Sequence, residues 1–314
     1  MEKVSVIIPI FNRAGVFSKT LESVLNQSYR NIEVLVIDDN SDDIVELECL
    51  LDEFRDTRVA LYKNMKNMNA AYSRNAGIKK ATGSYIAFMD SDDVWAEDKI
   101  EKQIRLAETL NEKFVITCLS RVVRQRFVEI LPILPIGGGQ SVADFLFTHD
   151  GYIPTPSIFL PTGVARKNLF NEKLRRHQDY DFLLRIQRLG VRFHTINEPL
   201  LTVYANHTEK SERRGGGYAV SEAFLKDYSE YFDVASKNYF WLKNIGYYKS
   251  RAGEKWSAIK EMITEKRFIK VKLKDIIIFS SYYIIVNTPF YEILEWLYSL
   301  TRNKAVYVIG SKKH

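Results

Sequence analysis

Short apolar runs alternate with amphipathic stretches over the first 115 residues. The runs cover residues 4–10, 32–37, 59–62 and 85–89. Their length and β-branched content predict strands that are buried on both faces. Between them, apolar residues recur at helical spacing, as Phe17, Leu21 and Val24 do. Strands separated by helices of this length form crossover units, so the pattern predicts an α/β fold with a mostly parallel sheet flanked by helices.

The rest of the chain changes in character twice. Residues 131–161 are rich in Pro and Gly, which indicates loops framing a site, with short strands between them. A helix is predicted over residues 179–189, ending at Gly190, and an extended segment over 193–204. After a Gly-rich linker at 213–217 the pattern is helical throughout. We therefore expect two units. The first is a domain of residues 1–217, with parts 1–115 and 116–217, and the second is a helical C-terminal region of residues 218–314.

Composition narrows the class of protein. The chain has 314 residues, of which 46% are hydrophobic and 27% charged, as in ordinary globular proteins. The start of the chain carries no secretory-signal pattern. Cys49 and Cys118 are the two cysteines, which excludes a disulfide framework and a zinc site. We expect a cytoplasmic protein.

The net charge of +6 is unevenly distributed. From Ser221 onward there are sixteen Lys and Arg against ten Asp and Glu, so the basic excess belongs to the C-terminal third. An excess of this kind indicates a membrane surface or an acidic partner. A solvated helical surface is the alternative interpretation.

Three carboxylates follow one predicted strand, at Asp90, Asp92 and Asp93. Concentrated negative charge is costly unless a cation neutralises it. Oxygen ligands suit Mg²⁺ or Mn²⁺, and these cations commonly take further ligands from phosphates. A helix N-cap accounts for one of the aspartates but not for all three. The cluster therefore predicts a metal site.

A second acidic cluster, Asp38 and Asp39, ends another predicted strand. In open α/β sheets ligands bind at the carboxyl ends of the strands, where both clusters fall. A carboxylate there can accept the N3–H of uracil, and the aromatic ring of Phe11, after the first strand, can stack on a base. A turn with an Asx cap is the alternative for the second cluster.

Four segments in order resemble the family-2 glycosyltransferases of the GT-A fold. They are VSVIIPIFN, EVLVIDDNS, SRNAGIKKATGSYIAFMDSDD and HQDYDFLLR, and they extend over about the first 210 residues. The resemblance implies a GT-A nucleotide-diphospho-sugar transferase fold, with residues 1–115 binding the nucleotide and residues 116–217 the acceptor.

The resemblance also implies roles for individual residues. The implied nucleotide-binding residues are Pro9, Phe11, Asp39, Arg74 and Asp90. Asp90 and Asp92 form the family's Asp-X-Asp element, with Asp92 the direct ligand of Mn²⁺ or Mg²⁺. His207 is a further candidate to approach the metal, with a plain exposed histidine as the alternative.

The segment from His177 to Asp181 matches the family's Glu-Asp motif, whose aspartate is the catalytic base. By this match Asp179 is the base, and Gln178 stands where the family commonly has Glu. His177 is expected to be a neighbour of the site, and Asp181 a first-turn residue of the helix. These roles imply an inverting, metal-dependent transfer in which Asp179 takes the proton of the attacking hydroxyl.

The implied partners are a UDP-sugar donor and a saccharide acceptor on a lipid carrier in O-antigen or capsule synthesis, with no nucleic acid. Two alternatives stay open. A sugar-phosphate nucleotidyltransferase has a similar sheet, but its Gly-rich loop after the first strand is absent, since residues 12–16 contain Gly15 alone. A non-catalytic nucleotide-sugar binding subunit would not need Asp179.

The C-terminal region is predicted to lie on a membrane, at the cytoplasmic face of the inner membrane, without crossing it. A basic cluster comprises Lys266, Arg267, Lys270, Lys272 and Lys274. The charge-free stretch that follows, residues 276–291, is shorter than the roughly 20 apolar residues of a spanning helix and is interrupted by Pro289. Burial against the catalytic domain, or a dimer interface, is the alternative.

Overall fold

The computed structural model describes residues 2–124, 127–205, 217–285 and 307–308. The strands are β1 (Val4–Ile10), β2 (Ile32–Asp38), β3 (Val59–Lys63), β4 (Tyr85–Phe88), β5 (Val94–Trp95), β6 (Phe114–Val123), β7 (Phe127–Leu131), β8 (Phe159–Pro161), β9 (Arg192–Tyr204) and β10 (Tyr307–Val308). The α-helices are α1 (Ala14–Leu25), α2 (Ile44–Phe54), α3 (Ala70–Lys80), α4 (Lys99–Ala107), α5 (Thr162–Lys167), α6 (Gln178–Arg188), α7 (Gly217–Asp227), α8 (Val234–Trp241), α9 (Tyr247–Arg251), α10 (Lys255–Thr264) and α11 (Leu273–Ile285).

The strands form one mixed sheet, in the order β10-β7-β6-β8-β4-β1-β2-β3. Strands β4, β1, β2 and β3 are parallel, as the alternating pattern predicts. The other half is mixed and matches the expected mostly parallel sheet only in part, since β9 pairs in parallel with β6 but the other pairings are antiparallel. Strand β8 pairs antiparallel with β4 and β6, and β7 pairs antiparallel with β6. Strand β7 is antiparallel to β6 because the connection between them is short, and a short connection can return the chain only in the antiparallel direction.

Helices cover both faces of the parallel half, and the sequence of β1 shows why. Alternate side chains point to opposite faces of a strand, and all seven residues of β1 are buried. Ile8 belongs to the core beneath α1, where Phe17 and Leu21 are buried. Ile7 belongs to the opposite core, together with Ile78 of α3 and Phe182 of α6. A strand buried on both faces has no polar face, which explains the continuous apolar run.

The C-terminal helices share this second core. Phe224 of α7, Phe240 of α8 and Tyr283 of α11 are buried in the same cluster as Ile7 and Phe182. A π-helical turn, Leu242–Gly246, connects α8 to α9. The Tyr283 hydroxyl donates to the carbonyl of Leu242 (2.8 Å) in this turn. The helices therefore pack on the sheet domain, and the predicted division at residue 217 stays a prediction.

Two observations bear on the predicted membrane segment. Phe279 and Tyr283 are buried, so part of the apolar face of α11 is covered by protein, while Ile277 is 58% exposed. The second predicted helix, which begins at Pro289, lies outside the described residues. Among the residues that are described, no helix is long and apolar enough to cross a membrane.

The prediction of a wholly helical C-terminal region is wrong at β10, which pairs antiparallel with β7.

Candidate active site

The carboxyl ends of β1, β2 and β4 lie side by side, because β1 pairs in parallel with both of the other strands. The Asp39 N–H donates to the carbonyl of Ile10 (2.9 Å), and the Met89 N–H donates to that of Ile7 (3.0 Å). The two acidic clusters therefore lie on either side of the end of β1. This edge is where open α/β sheets bind their ligands.

The turn after β1 is fastened to the turn after β2. The backbone N–H of Asn12, which has φ of 51°, donates to the Ser41 hydroxyl (2.9 Å), and the Asp42 N–H donates to the Asn12 side chain (2.8 Å). Phe11, on this turn, is 37% exposed, whereas Pro9 is buried within β1. The exposed ring of Phe11 is available for stacking, and the nucleotide contacts of both residues stay predictions.

Asp39 is only 3% exposed, and its carboxylate is hydrogen-bonded on all sides. It accepts from the backbone N–H groups of Met68 (3.0 and 3.1 Å) and Asn69 (2.8 Å) and from the side-chain amide of Asn64 (2.8 Å). These contacts hold the start of α3 against the end of β2. A carboxylate has about four acceptor positions, and these three donors use most of them, so little capacity remains for the N3–H of a base.

Arg74 of α3 connects the end of β4 with the start of α6. Its Nη2 donates to Asp90 Oδ1 (2.7 Å), and its Nη1 donates to Gln178 Oε1 (3.4 Å). Its buried Nε has no hydrogen-bond partner among the described residues. The guanidinium also lies over the ring of Phe170, 5.4 Å from the ring centre. Arg74 thus joins one predicted nucleotide-binding residue to the neighbour of the predicted base.

Negative charge is crowded in the loop after β4. Burial raises the pKa of the Asp92 carboxyl; the charge of Arg13 opposes this effect and that of Asp90 adds to it. Burial, together with the charges of Asp90 and Asp92, raises the pKa of Asp93 to about 8. Asp92 forms an ion pair with Arg13, and Asp93 accepts from the Tyr204 N–H (3.4 Å). Arg13 therefore partly neutralises the cluster.

These residues fit a divalent cation that takes part of its coordination from a diphosphate. Among the described residues, no group of three or more His, Cys, Asp or Glu side chains is arranged to hold a metal ion. The donors at this edge are carboxylate oxygens, which suit Mg²⁺ and Mn²⁺, and such sites often use one or two carboxylates plus phosphate oxygens. A cation would also offset the repulsion between the carboxylates, which adds to burial in raising the pKa values of Asp92 and Asp93. His207, the other metal candidate, lies outside the described residues.

Asp179 lies in the first turn of α6 and is partly exposed. Burial raises the pKa of its carboxyl, while the hydrogen bond from the Tyr180 N–H (2.9 Å) and the charge of Arg74 lower it. A raised pKa makes a carboxylate a better proton acceptor near neutral pH. Asp181 differs, because it is fully buried and paired with Arg185 (2.5 Å). Of the two carboxylates, Asp179 is the one accessible to an acceptor.

His177, directly before α6, packs against the C-terminal helices. It adopts φ of 62° before the helix, is buried, and its Nε2 lies 2.8 Å from the hydroxyl of Ser221 in α7. Its ring stacks on Tyr180 at 5.2 Å between ring centres. Burial and the charge of Arg176 lower the pKa of His177 to about 3, so it is neutral at physiological pH.

Two residues of the site were missed from the sequence. Arg13 lies in the segment of residues 12–16, where no sequence motif marks it, but its position after β1 brings it to Asp92. Tyr152 lies in the Pro- and Gly-rich segment, where no periodic pattern marks it. Burial raises the pKa of its phenol, and the negative charges of Asp93 and Asp179 add to this effect. Tyr152 is therefore close to both the acidic loop and the predicted base.

Comparisons with known proteins show what the chain is similar to. Residues 5–159 match the profile described as Glycosyl transferase family 2. The amylovoran biosynthesis glycosyltransferase AmsB of Erwinia amylovora is 33% identical over 218 residues, which are 67% of this chain and 72% of AmsB. WfaP of Escherichia coli, named a UDP-Glc:alpha-D-GlcNAc-diphosphoundecaprenol beta-1,3-glucosyltransferase, is 39% identical over 41% of this chain and 49% of WfaP.

Solved structures share the fold at low sequence identity. S. aureus TarS 1-349 in complex with UDP-GlcNAc has a TM-score of 0.62 and 16% identity, covering 99% of this chain and 98% of that one. The mannosyltransferase PcManGT from Pyrobaculum calidifontis, in complex with GDP-Man and Mn2+, has a TM-score of 0.60 and 16% identity over 90% and 85% of the chains. The fold is therefore that of GT-A transferases. With the AmsB match over most of both proteins, these findings show that the chain belongs to glycosyl transferase family 2 and is a glycosyltransferase.

Proposed function

We propose that the protein transfers a sugar from a UDP-sugar to an acceptor hydroxyl, with inversion at the anomeric carbon and with Mg²⁺ or Mn²⁺. The observation that carries the proposal is the bridge made by Arg74. It binds Asp90, in the acidic loop, and Gln178, the neighbour of Asp179. In this proposal the carboxylates of the acidic loop serve the leaving diphosphate and the carboxylate of Asp179 serves the acceptor, and Arg74 connects the two.

In this mechanism the Asp179 carboxylate removes the proton of the acceptor hydroxyl while its oxygen attacks the anomeric carbon. The bond from that carbon to the diphosphate oxygen breaks in the same displacement, UDP leaves, and the proton remains on Asp179. Attack opposite the leaving group inverts the anomeric configuration. Asp92 would hold the cation, which when bound supplies stabilisation of negative charge on the diphosphate. Phe11 and Asp39 would bind the base.

Two similar proteins support UDP as the nucleotide. TarS was solved with UDP-GlcNAc, and WfaP is named for transfer from UDP-Glc. PcManGT was solved with GDP-Man and Mn2+, which supports a metal but shows that the fold also holds another base. We infer a uridine nucleotide here from TarS and WfaP, with the exposed ring of Phe11 available to stack on the base.

The acceptor we propose is a saccharide on a lipid diphosphate carrier, in the synthesis of a bacterial surface polysaccharide. AmsB is named for amylovoran biosynthesis, and WfaP for a diphosphoundecaprenol-linked acceptor. Such an acceptor presents its sugar at a membrane surface. The protein would then act at the cytoplasmic face of the inner membrane, where nucleotide sugars are made available.

Calorimetry with UDP tests the donor side of this proposal. We expect Mn²⁺ to increase the affinity for UDP, and Asp92→Ala to reduce that increase by about tenfold or more, because the cation loses a carboxylate ligand. Asp52→Ala, at an exposed carboxylate of α2, is the matched control and keeps the effect of Mn²⁺. An Asp92→Ala protein that responds to Mn²⁺ like the wild type would contradict the metal assignment.

A further inference from the structure

Large apolar side chains are concentrated at the surface of one short segment. Elsewhere in the described residues such exposed side chains occur singly or in pairs, which is normal for globular proteins. Residues 256–277 expose six of them: Trp256 (70%), Ile263 (59%), Phe268 (41%), Ile269 (42%), Leu273 (73%) and Ile277 (58%). Exposed lysines lie between them, at positions 260, 266, 270, 272 and 274. We call these eleven side chains the basic apolar surface.

The apolar side chains project from ordered structure. Trp256, Lys260 and Ile263 follow helical spacing, so they share the exposed face of α10, whereas Ala258 and Met262 are buried beneath it. Leu273 and Ile277 are four residues apart, on an exposed face of α11. Helices α10 and α11 pack against each other. The two exposed faces and the loop between them therefore belong to one region of the molecule.

The loop from 265 to 272 is held firmly by its backbone. The Arg267 N–H donates to Met262 (2.9 Å) and the Lys266 N–H to Ile263 (3.2 Å), which is a Schellman ending of α10 with lysine at the left-handed position, φ of 52°. Lys270 is also left-handed, with φ of 58°. Glycine usually occupies such positions, so at both of them the chain carries a charged side chain at some conformational cost.

Side chains of α8 fix the same loop to the core. The Asn238 amide donates to the carbonyl of Ile269 (2.9 Å), and the Tyr239 hydroxyl accepts from the Lys272 N–H (3.1 Å). The Arg267 guanidinium lies over the ring of buried Trp241, 5.8 Å from its centre. With the backbone held in this way, Phe268 and Ile269 are presented to the outside at a fixed position.

The charge of this segment is strongly positive. Residues 255–274 contain seven Lys and Arg against two Glu. Glu261 is engaged by Trp241 (2.8 Å) and Lys249 (2.8 Å), which leaves Glu265 as the acidic side chain on the outside. Lys260, Lys266, Lys272 and Lys274 form no ion pair with any residue that the structure describes. Most of the net charge of the protein is thus displayed beside exposed apolar side chains.

We infer that the basic apolar surface docks the protein on an anionic lipid bilayer. Lysines meet anionic headgroups, while tryptophan, phenylalanine and aliphatic side chains enter the interface between headgroups and acyl chains. The lipid contact itself does not depend on the proposed function. Only its purpose does, which is to bring the active site to a lipid-linked acceptor. The contact shares the basic cluster of residues 266–274 with the membrane segment expected from the sequence, but it adds the exposed apolar side chains of α10 and of the following loop and does not need the second predicted helix.

Vesicle flotation with the full chain tests this surface, without nucleotide or acceptor. We expect flotation with vesicles of equal parts phosphatidylglycerol and phosphatidylcholine at low salt, and little with phosphatidylcholine alone. Lys266→Glu with Lys270→Glu, and separately Phe268→Ser with Ile269→Ser, should weaken binding by about tenfold or more. Matched controls at exposed sites, Lys113→Glu with Lys173→Glu and Leu134→Ser, should float like the wild type.

Three outcomes would overturn the inference. The first is that the wild type does not float with anionic vesicles, and the second is that the control variants lose as much vesicle binding as the surface variants. The third is that both surface variants float as well as the wild type, which would assign the contact to residues 286–314. Calorimetry with UDP on the same surface variants shows that they are folded. Because flotation uses no nucleotide, its failure leaves the proposed transfer standing, and failure of the Asp92→Ala test leaves the lipid contact standing.

Discussion

The charge of Arg74 acts on two carboxylates that differ in their proposed roles. It is hydrogen-bonded to Asp90, and it lowers the pKa of Asp179, which burial raises. Gln178 accepts a hydrogen bond from Arg74 but carries no charge of its own. The pKa of the proposed base is therefore set by burial, which raises it, against the hydrogen bond from the Tyr180 N–H and the charge of Arg74, which lower it.

This balance gives a pH-dependent prediction. Arg74→Met removes the cation, so the pKa of Asp179 rises further above its ordinary value of 3.8. A base works only when it is deprotonated, so the acid limb of kcat/KM against pH should move to higher pH, and the rate at neutral pH should fall by about tenfold or more. The measurement is the pH profile of sugar transfer.

Lys79→Met is the control for this variant, since it removes an exposed positive charge from the same helix. Its profile should coincide with that of the wild type. An acid limb that stays in place or moves to lower pH in Arg74→Met would contradict the assignment of Asp179 as the base that Arg74 positions.

At the residue scale the sequence predicts carboxylates better than it predicts their partners. Asp92 was predicted from an acidic cluster at the end of a strand and from the resemblance to the family's Asp-X-Asp element, and Asp179 from the resemblance to the family's Glu-Asp motif. The ion pair of Asp92 with Arg13 and the placement of Tyr152 near Asp179 depend on side chains that are distant along the chain. No local pattern encodes such contacts, so they emerge only from the packed fold.

At the scale of elements, α3 approaches β1 so closely that one position has to be glycine. A Cβ added at Gly77 would lie 2.4 Å from Cγ2 of Ile7, a buried, β-branched side chain of the central strand. Arg74 lies one turn earlier on the same helix. The depth at which α3 packs therefore sets the position of the guanidinium that joins Asp90 to Gln178.

Gly77→Ala should destabilise the protein by ~1–3 kcal/mol through overpacking and should also reduce transfer, because α3 and Arg74 are displaced. Gly163→Ala is the matched control, since no atom lies within 4 Å of its added Cβ in helix α5. Alanine there should be neutral or should stabilise by about 0.5–1 kcal/mol. Urea unfolding measures both variants, and equal midpoints for Gly77→Ala and the wild type would contradict the packing argument.

The elements themselves were largely predictable, and the sheet direction was not. The apolar runs predicted β1 to β4, the helical spacing of apolar residues predicted α1, and the helix expected over residues 179–189 corresponds to α6. The antiparallel strands β7 and β8 lie in or beside the Pro- and Gly-rich segment, where loops obscure the pattern. Short strands that pair with distant partners leave little local signal.

At the scale of the whole molecule, the C-terminal helices help to build the active site. Ser221 of α7 contacts His177 directly before α6, and Phe224 packs on the same histidine ring at 5.0 Å. The helix that carries Asp179 is thus supported by residues beyond position 217. The basic apolar surface lies on this same set of helices, which would couple the proposed lipid contact to the half of the site that receives the acceptor.

The most direct test of the central claim is transfer by an Asp179→Asn protein. Asparagine has nearly the same shape but cannot take a proton, so turnover should fall by about a hundredfold or more, while UDP-sugar binding in the presence of Mn²⁺ is retained. Glu53→Gln, at an exposed carboxylate of α2, is the control and should keep full activity. UDP release with acceptor gives the rate, and NMR of the wild-type product should show the inverted anomer. An Asp179→Asn protein with the wild-type rate, or a product that retains the donor configuration, would contradict the account.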